Sequence, residues 1–511
     1  MKRLRLILGD QLNYHHSWFG EKDDNVVYFI AEMRQETDYV SHHIQKVVAF
    51  FESMANFADW LQERGHRVIH YTLDSEENKQ DLEKNVNHLI SKFSIERFEY
   101  QLPDEYRLDK QLETFCKGLS IPTETYDTEH FLTERYELQE FFKGKKQMVM
   151  EYFYRHMRKK YDILMVNDSD PEGGKWNFDQ SNRNKWKGSP EIPHERGFRK
   201  DVTETLKRIE NAGVDTIGTI DPKQFSWPTS REDSLSVLRY FCKELLVHFG
   251  DYQDAMHTDE AFLFHSRLSF AMNSKMLHPV EVIEAVVAQW QENKNSIDIS
   301  QVEGFVRQIL GWREFMRGIY WKEMPEYARL NELENNNPLP NFYWTGDTKM
   351  NCLKTSIKQS LENSYAHHIQ RLMITGNYAL LTQCDPDEVD RWYLGIYIDA
   401  IEWVEITNTR GMSQFADGGI VATKPYVSSG NYINKMSNYC GSCHYNVKKK
   451  TGDDACPFNS LYWNFLDDKR QYFANNQRMG MMMNLLNKKD PKELSAIKER
   501  AAEIIENPDK F

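Results

Sequence analysis

The sequence predicts a molecule in three parts. An α/β unit, a parallel sheet covered by helices, spans residues 1–130; a long connection with a basic helix spans 131–230; a large all-helical unit spans 231–511. Three observations predict this. Short apolar runs alternate with helical patterns through the first part, composition turns to Gly, Pro, Asn and Asp from about 161, and three-to-four apolar spacing runs almost unbroken from about 231. At 511 residues, 40% of them hydrophobic, the chain exceeds one ordinary core and has material for several.

The runs "RLRLILG" and "VVYFIAEM" read as buried strands, and "HHIQKVVAFFESMANFADWLQERG" as a long helix closed by Gly65. "HRVIHYTL" (strand), "NKQDLEKNVNHLISKFS" (helix), "RFEYQLP" (strand), "DKQLETFCKGLS" (helix) and "PTETYD" (strand) complete the alternation that a covered parallel sheet requires. Neither common nucleotide-binding glycine fingerprint occurs. The turn Gly9-Asp10-Gln11 after the first strand is where such a sheet offers a ligand crevice. The stretch 161–230 reads as a long connection over the surface. Beyond it, "REDSLSVLRYFCKELLVHFG", "HPVEVIEAVVAQWQENK", "EGFVRQILGWREFMRGIYW" and "DEVDRWYLGIYIDAIEWVE" all carry helical spacing.

The N-terminal apolar run Leu6-Ile7-Leu8 is too brief for a secretion signal, and no stretch reaches the roughly 18 apolar residues of a membrane span. A soluble, cytoplasmic protein, monomeric and without membrane contact, is expected. A net charge of −13 excludes a uniformly basic surface but not a local basic groove. "KGKKQMVMEYFYRHMRKK" (143–160) carries seven Lys or Arg against one Glu, and "NRNKWKGSPEIPHERGFRK" (182–200) is also basic. Each is either a solvated face or a phosphate-contacting surface.

The stretch "NYCGSCHYNVKKKTGDDACPF" holds Cys440, Cys443 and Cys456, three of seven cysteines. Cys-x-x-Cys-His fits covalent haem attachment, a dithiol pair, a Cys3His zinc site using His444, or most of an iron–sulfur site. The expected reducing compartment disfavours haem attachment and a disulfide framework. Spacing alone cannot choose a fourth thiolate among Cys116, Cys242, Cys352 and Cys384.

Three stretches carry a resemblance: "GFVRQILGWREFMRGIYW" (304–321), "SYAHHIQRLMITGNYALL" (364–381) and "RWYLGIYIDAIEWVEITNTRGMSQFADGG" (391–419). They are similar to the flavin-binding core of the photolyase/cryptochrome family, with Trp312-Arg313-Glu314 in its W-R-E segment. The cysteines point to its iron–sulfur bacterial branch, the prokaryotic (6-4) photolyases and related cryptochromes, and the likeness runs from "LILGDQL" to "ACPFNSLYW". The resemblance implies an antenna domain over 1–130, an interdomain linker, and a helical domain holding FAD and a [4Fe-4S] cluster. It picks Cys352 to join Cys440, Cys443 and Cys456 as cluster ligands; four thiolates are what such a cluster takes.

The same resemblance implies an FAD site drawn from His265, Ser266, Ser269, Gln308, Trp312, Arg313, Asp399 and Glu405. It puts Glu405 opposite flavin N5, and the pair His367-His368 at the lesion. A (6-4) lesion needs a proton donor, and histidine, with an unperturbed pKa of about 6.5, can supply one near neutrality. Trp392, then Tyr393 and Trp344, match positions through which the flavin is reduced. Asp10 and Glu36 match contacts to a 6,7-dimethyl-8-ribityllumazine antenna; Ala31 departs from relatives that carry Cys there.

UV-damaged DNA is the implied partner, with contacts at Lys145, Lys146, Lys159, Arg183 and Tyr426. Light-driven (6-4) repair is the implied activity. A blue-light sensor with the same cofactors is the alternative; a zinc- or haem-binding protein without flavin is a third.

Overall fold

The computed structural model describes residues 1–194 and 197–511. Five strands form one parallel sheet in the order Arg67–Tyr71, Val26–Ala31, Arg3–Leu6, Arg97–Gln101 and Thr123–Tyr126. Helices Ile44–Glu63, Leu82–Phe93 and Tyr106–Gly118 make the crossovers. The strand order reverses beside Arg3–Leu6, which leaves a crevice at the carboxyl ends of that strand and Arg97–Gln101.

Alternation decides which layer each strand residue meets. Leu4, Leu6, Phe29 and Phe98 pack with Leu82, Val86 and Leu112. Tyr28 and Ile30 join Val47, Val48 and Phe57 in a second core that continues into the helical part through Phe270 and Val302. The central strands are not wholly apolar. Arg5 lies in register with Glu99 and donates to its carboxylate at 2.7 Å, so each buried charge has its partner.

The stretch 161–230, expected as a surface connection, is anchored into the core. Trp186, Phe225 and Trp227 are buried, and Trp227 Nε1 donates to Gln45 at 3.1 Å. It also forms the helix Thr203–Asn211, from which Arg208 pairs with the buried Glu32 at 2.9 Å. Isolated aromatics among turn-forming residues give no periodic signal, which is why composition conceals these anchors. Of the basic stretch 182–200, Glu195 and Arg196 lie outside the described residues.

Among the described residues, four π turns widen helices that spacing predicts as regular. They lie at Phe241–Leu245, Arg307–Arg313, Arg371–Gly376 and Thr407–Ser413. Such turns concentrate at functional sites, and three of these hold or adjoin candidate residues. "DEVDRWYLGIYIDAIEWVE" is not one helix: Pro386–Ile396 ends and Glu402–Ile406 begins after an extended break. That break releases the Leu394 and Ala400 carbonyls, which accept from Lys46 Nζ at 2.7 and 2.8 Å. No helix among the described residues is long and apolar enough to cross a membrane.

A buried lysine ties the helical part to the sheet. Lys275 Nζ donates to the Asp10 carboxylate at 3.0 Å and to its carbonyl at 2.7 Å, and pairs with Asp104 at 2.8 Å. Lys275→Met strands two buried carboxylates and is expected to remove about 3–5 kcal/mol of stability. A thermal melt followed by circular dichroism reads this as a lower midpoint; an unchanged midpoint contradicts it.

Candidate functional site

Two concave regions lie on either side of Lys46. The first, a cavity of about 150 Å³ at the sheet's switch point, is lined by Asp10, Ala31, Glu36, Lys46, Glu105 and Glu402, among others. It brings together the predicted Asp10 and Glu36. Lys275 holds Asp10 from below, while Arg107 holds Glu36 at 2.8 Å and Glu105 at 2.6 Å. Burial raises Asp10 and Glu105 (the latter to about 8) against the pull of Lys275 and Arg107 respectively. At about 8, the Glu105 carboxyl is able to act as a hydrogen-bond donor as well as an acceptor.

The second region is organised by an ion pair that sequence reasoning missed. Arg371 clasps Asp399 in a bidentate contact at 2.9 and 3.2 Å. Burial raises the Asp399 carboxyl, but Arg371 and the Ser269 hydroxyl outweigh it and leave the group below its usual range. The Arg371 guanidinium lies 3.8 Å over the Tyr397 ring. Beside this pair the His265 and His367 rings stack with centroids 4.4 Å apart. Neither nitrogen of His367 nor His265 Nε2 has a hydrogen-bond partner. A cavity of about 450 Å³ lies between the connecting stretch, at Trp186, Ile192 and Trp227, and His265, Ser266 and Arg267; of the predicted flavin residues it takes in only His265 and Ser266.

Glu405 is buried, with one oxygen unpartnered. Burial and then nearby Asp390 raise it well above the usual carboxylate range. Gln308 and Trp312 sit on the Arg307–Arg313 π turn, where Gln308 donates to the Gly304 carbonyl at 3.0 Å. Arg313 is placed differently from its neighbours. Its guanidinium is enclosed by Phe131 and Trp403 and bonded to His130 at 3.0 Å, contacts that join the helices to the segment after the sheet.

His368 is exposed at the surface, yet the protein around it is dense. Burial, then the Arg371 charge, push its imidazole down to about 4. The expectation of a donor near pKa 6.5 is therefore not met in the free protein, where the ring is neutral. An arriving polyanion would restore the proton by the opposite charge effect.

Trp392 is buried, and its ring neighbours Tyr343, Tyr393 and Tyr397 at 5.1, 5.3 and 5.8 Å. Trp344 is 44% exposed and follows Tyr343 in the chain. The aromatic series thus runs from the Arg371–Tyr397 contact to the surface.

The four cysteines expected together share one neighbourhood, and none forms a disulfide. Burial raises the Cys352 thiol well above its usual range, and the nearby Cys456, Cys443 and Cys440 raise it further. Asn351 donates to the Tyr439 carbonyl at 2.9 Å and to Ser442 at 3.3 Å, lashing the Cys352 helix to the Cys440–Cys443 turn. At Gly430 a Cβ would come within 2.9 Å of the Cys456 sulfur. His444 packs edge-on against Tyr445, on the solvent side of the turn. Among the described residues no three His, Cys, Asp or Glu side chains are grouped to hold a metal ion.

The basic helix is less basic than its composition. Arg158 is fully buried, donating to the carbonyls of Ile163, Leu164 and Trp176. Lys143, Arg155 and Lys160 pair with Glu140, Glu151 and Glu137. Lys145, Lys146 and Lys159 are exposed and without an ion pair among the described residues. Arg183 pairs with Asp179, and the half-buried Tyr426 feels Asp179, Arg478 and Arg183.

A parallel sheet with a switch-point crevice, backed by helices around a polar cavity, is the architecture of photolyases and cryptochromes. The fold matches a bacterial class III photolyase from Agrobacterium tumefaciens, at TM-score 0.56 and 15% identity, over 85% of this chain and 86% of that one. It also matches the Synechocystis cryptochrome, at TM-score 0.56 and 13% identity, over 85% and 88%. Residues 5–225 match the family described as deoxyribodipyrimidine photo-lyase-related protein. The chain is 42% identical over 484 residues to a (6-4) photolyase of Agrobacterium fabrum, covering 94% of each. The chain belongs to the photolyase/cryptochrome family, in the bacterial branch of that (6-4) photolyase.

A histidine with a depressed pKa stays neutral on acidification until well below 6.5. In protein labelled at histidine, the His368 ring, assigned by His368→Ala, should titrate by NMR with a midpoint under 6, as the downward shift requires. A midpoint at or above the ordinary value of about 6.5 would contradict the burial argument.

Proposed function

We propose that the protein repairs (6-4) pyrimidine–pyrimidone photoproducts in UV-damaged DNA in a light-dependent reaction. Its 42% identity to a (6-4) photolyase over 94% of both chains carries the reading. The exposure of His368 close to the Arg371–Asp399 pair agrees with it. Residues 1–130 are read as the antenna domain, 131–230 as the linker and 231–511 as the catalytic domain.

The residues present fit three cofactors. FAD is read as bound beside the stacked His265 and His367 and the buried Glu405, whose polar atoms lack protein partners, the condition a polar ligand relieves. His265, Ser266, Ser269, Gln308, Trp312 and Asp399 would hold it, with Arg313 shaping the wall behind. Ribityllumazine suits the crevice of Asp10 and Glu36, whose carboxylate oxygens can accept from its hydroxyls and ring N–H groups. A [4Fe-4S] cluster suits Cys352, Cys440, Cys443 and Cys456: they share one neighbourhood, and a cationic centre deprotonates thiols that it binds. The solvent-side His444 gives a zinc site less support.

When bound, FAD supplies the light-driven electron, and the antenna widens the light it can use. The chain's own residues do the rest. Arg371 keeps Asp399 ionised and oriented in a site closed to bulk water. Glu405 holds a proton at a fixed atom. His368, neutral in the free protein, gains its proton when the negative substrate fills the cleft, and so donates only to a bound lesion. Trp392, Tyr393 and Trp344 supply closely spaced rings for carrying an electron inward. Flipping the lesion out of the duplex into the cleft would supply selectivity, while Lys145, Lys146, Lys159, Arg183 and Tyr426 hold the strand.

Under blue light the protein should remove (6-4) lesions from an oligonucleotide, and in the dark it should not. His368→Ala should slow repair by about 100-fold or more while keeping its flavin. Lesions that persist in light despite intact flavin would favour the sensor reading.

Reversing charge at Lys145, Lys146 and Lys159 should weaken duplex binding. It should also flatten the salt slope by about 0.9 for each phosphate no longer neutralised. An unchanged slope rules that surface out.

A further inference from the structure

The cysteine neighbourhood and the histidine pair are joined by a continuous run of buried hydrogen bonds. Tyr439, immediately before Cys440, is fully buried, and its hydroxyl accepts from Gln370 Nε2 at 3.1 Å. Gln370 in turn accepts the His367 backbone N–H at 3.1 Å, which caps the one-turn helix His368–Gln370. Gln359 locks the same amide from the other side, accepting from Gln370 at 2.9 Å. Gln359 belongs to helix Asn351–Asn363, which carries Cys352 at its start. Asn351 closes the ring by donating to the Tyr439 carbonyl at 2.9 Å.

Two elements that bear cysteines therefore converge on one glutamine, and that glutamine fixes the backbone of the lesion-side histidines. A buried amide with several partners has few alternative orientations, so a shift at either cysteine element is transmitted to the cap. We infer that Tyr439 is a positioning residue that couples the cysteine centre to His367 and His368. On this account a role of the centre is to hold the proton donor in register. The inference rests on the reading of Cys352, Cys440, Cys443 and Cys456 as one metal centre and of His368 as the group at the lesion.

Tyr439→Phe removes the hydroxyl and keeps the ring, so it tests the link in the complete protein. Hydrogen exchange read by mass spectrometry should quicken about tenfold in the peptide spanning 366–372, the scale of one missing buried hydrogen bond. Visible absorbance and iron content should be unchanged. With (6-4) DNA, the light-driven turnover should fall about three- to tenfold at unchanged KM, because the interaction serves the reaction and not binding. Oxidative bleaching of the centre in the unsubstituted protein should quicken the same peptide, which provides a test if the variant does not fold. Unchanged exchange of 366–372 in both experiments overturns the coupling. Iron-free protein, or unsubstituted protein inactive on (6-4) DNA, would instead count against the underlying reading, because the exchange measurement on Tyr439→Phe needs neither.

Discussion

The helical part is arranged around the ion pair of Arg371 with Asp399. Taking two charges out of water is unfavourable unless their geometry is good and their remaining bonding capacity is met. The fold meets it from several directions. Asp399 lies on the extended break between Pro386–Ile396 and Glu402–Ile406, and Arg371 opens a π turn. Arg371 Nε donates to the Ala366 carbonyl at 2.6 Å, and Asn273 donates to the Asp399 carbonyl at 2.8 Å. Lys46 fixes both ends of the break from the sheet side. The irregular backbone is thus the means by which a charged pair is held inside a helical core.

That pair bears on the chemistry of a neighbour. The dense surroundings of His368 oppose its positive charge, and the nearby Arg371 guanidinium opposes it further, which lowers its pKa to about 4. Glu405 is raised independently of that pair, by burial and then by Asp390, both of which oppose a further negative charge.

Much of the fold was legible in the sequence because buried parallel strands read as apolar runs and their crossovers as helical spacing. What stayed hidden depends on distant partners. Arg5 and Glu99 make sense only across the sheet, and the helix Thr203–Asn211 only through Arg208 with Glu32. The break at 397–401 carries helical spacing on both sides, so no local pattern announces it. The candidate residues were legible through a family likeness, which alone selected Cys352. Arg371, Lys275, Gln370 and Tyr439 were not read: each looks like an ordinary residue of its helix or loop until its partner is known. Arg371 had the nearest signal, a basic residue three positions after the histidine pair.

The most direct test of this arrangement is the flavin retained by Asp399→Asn, measured by absorbance after purification in the dark. With Arg371 left uncompensated, the variant is predicted to lose most of its flavin while its far-ultraviolet circular dichroism stays unchanged. Full flavin content in Asp399→Asn would contradict the organisation of the cofactor cavity by the Arg371–Asp399 pair.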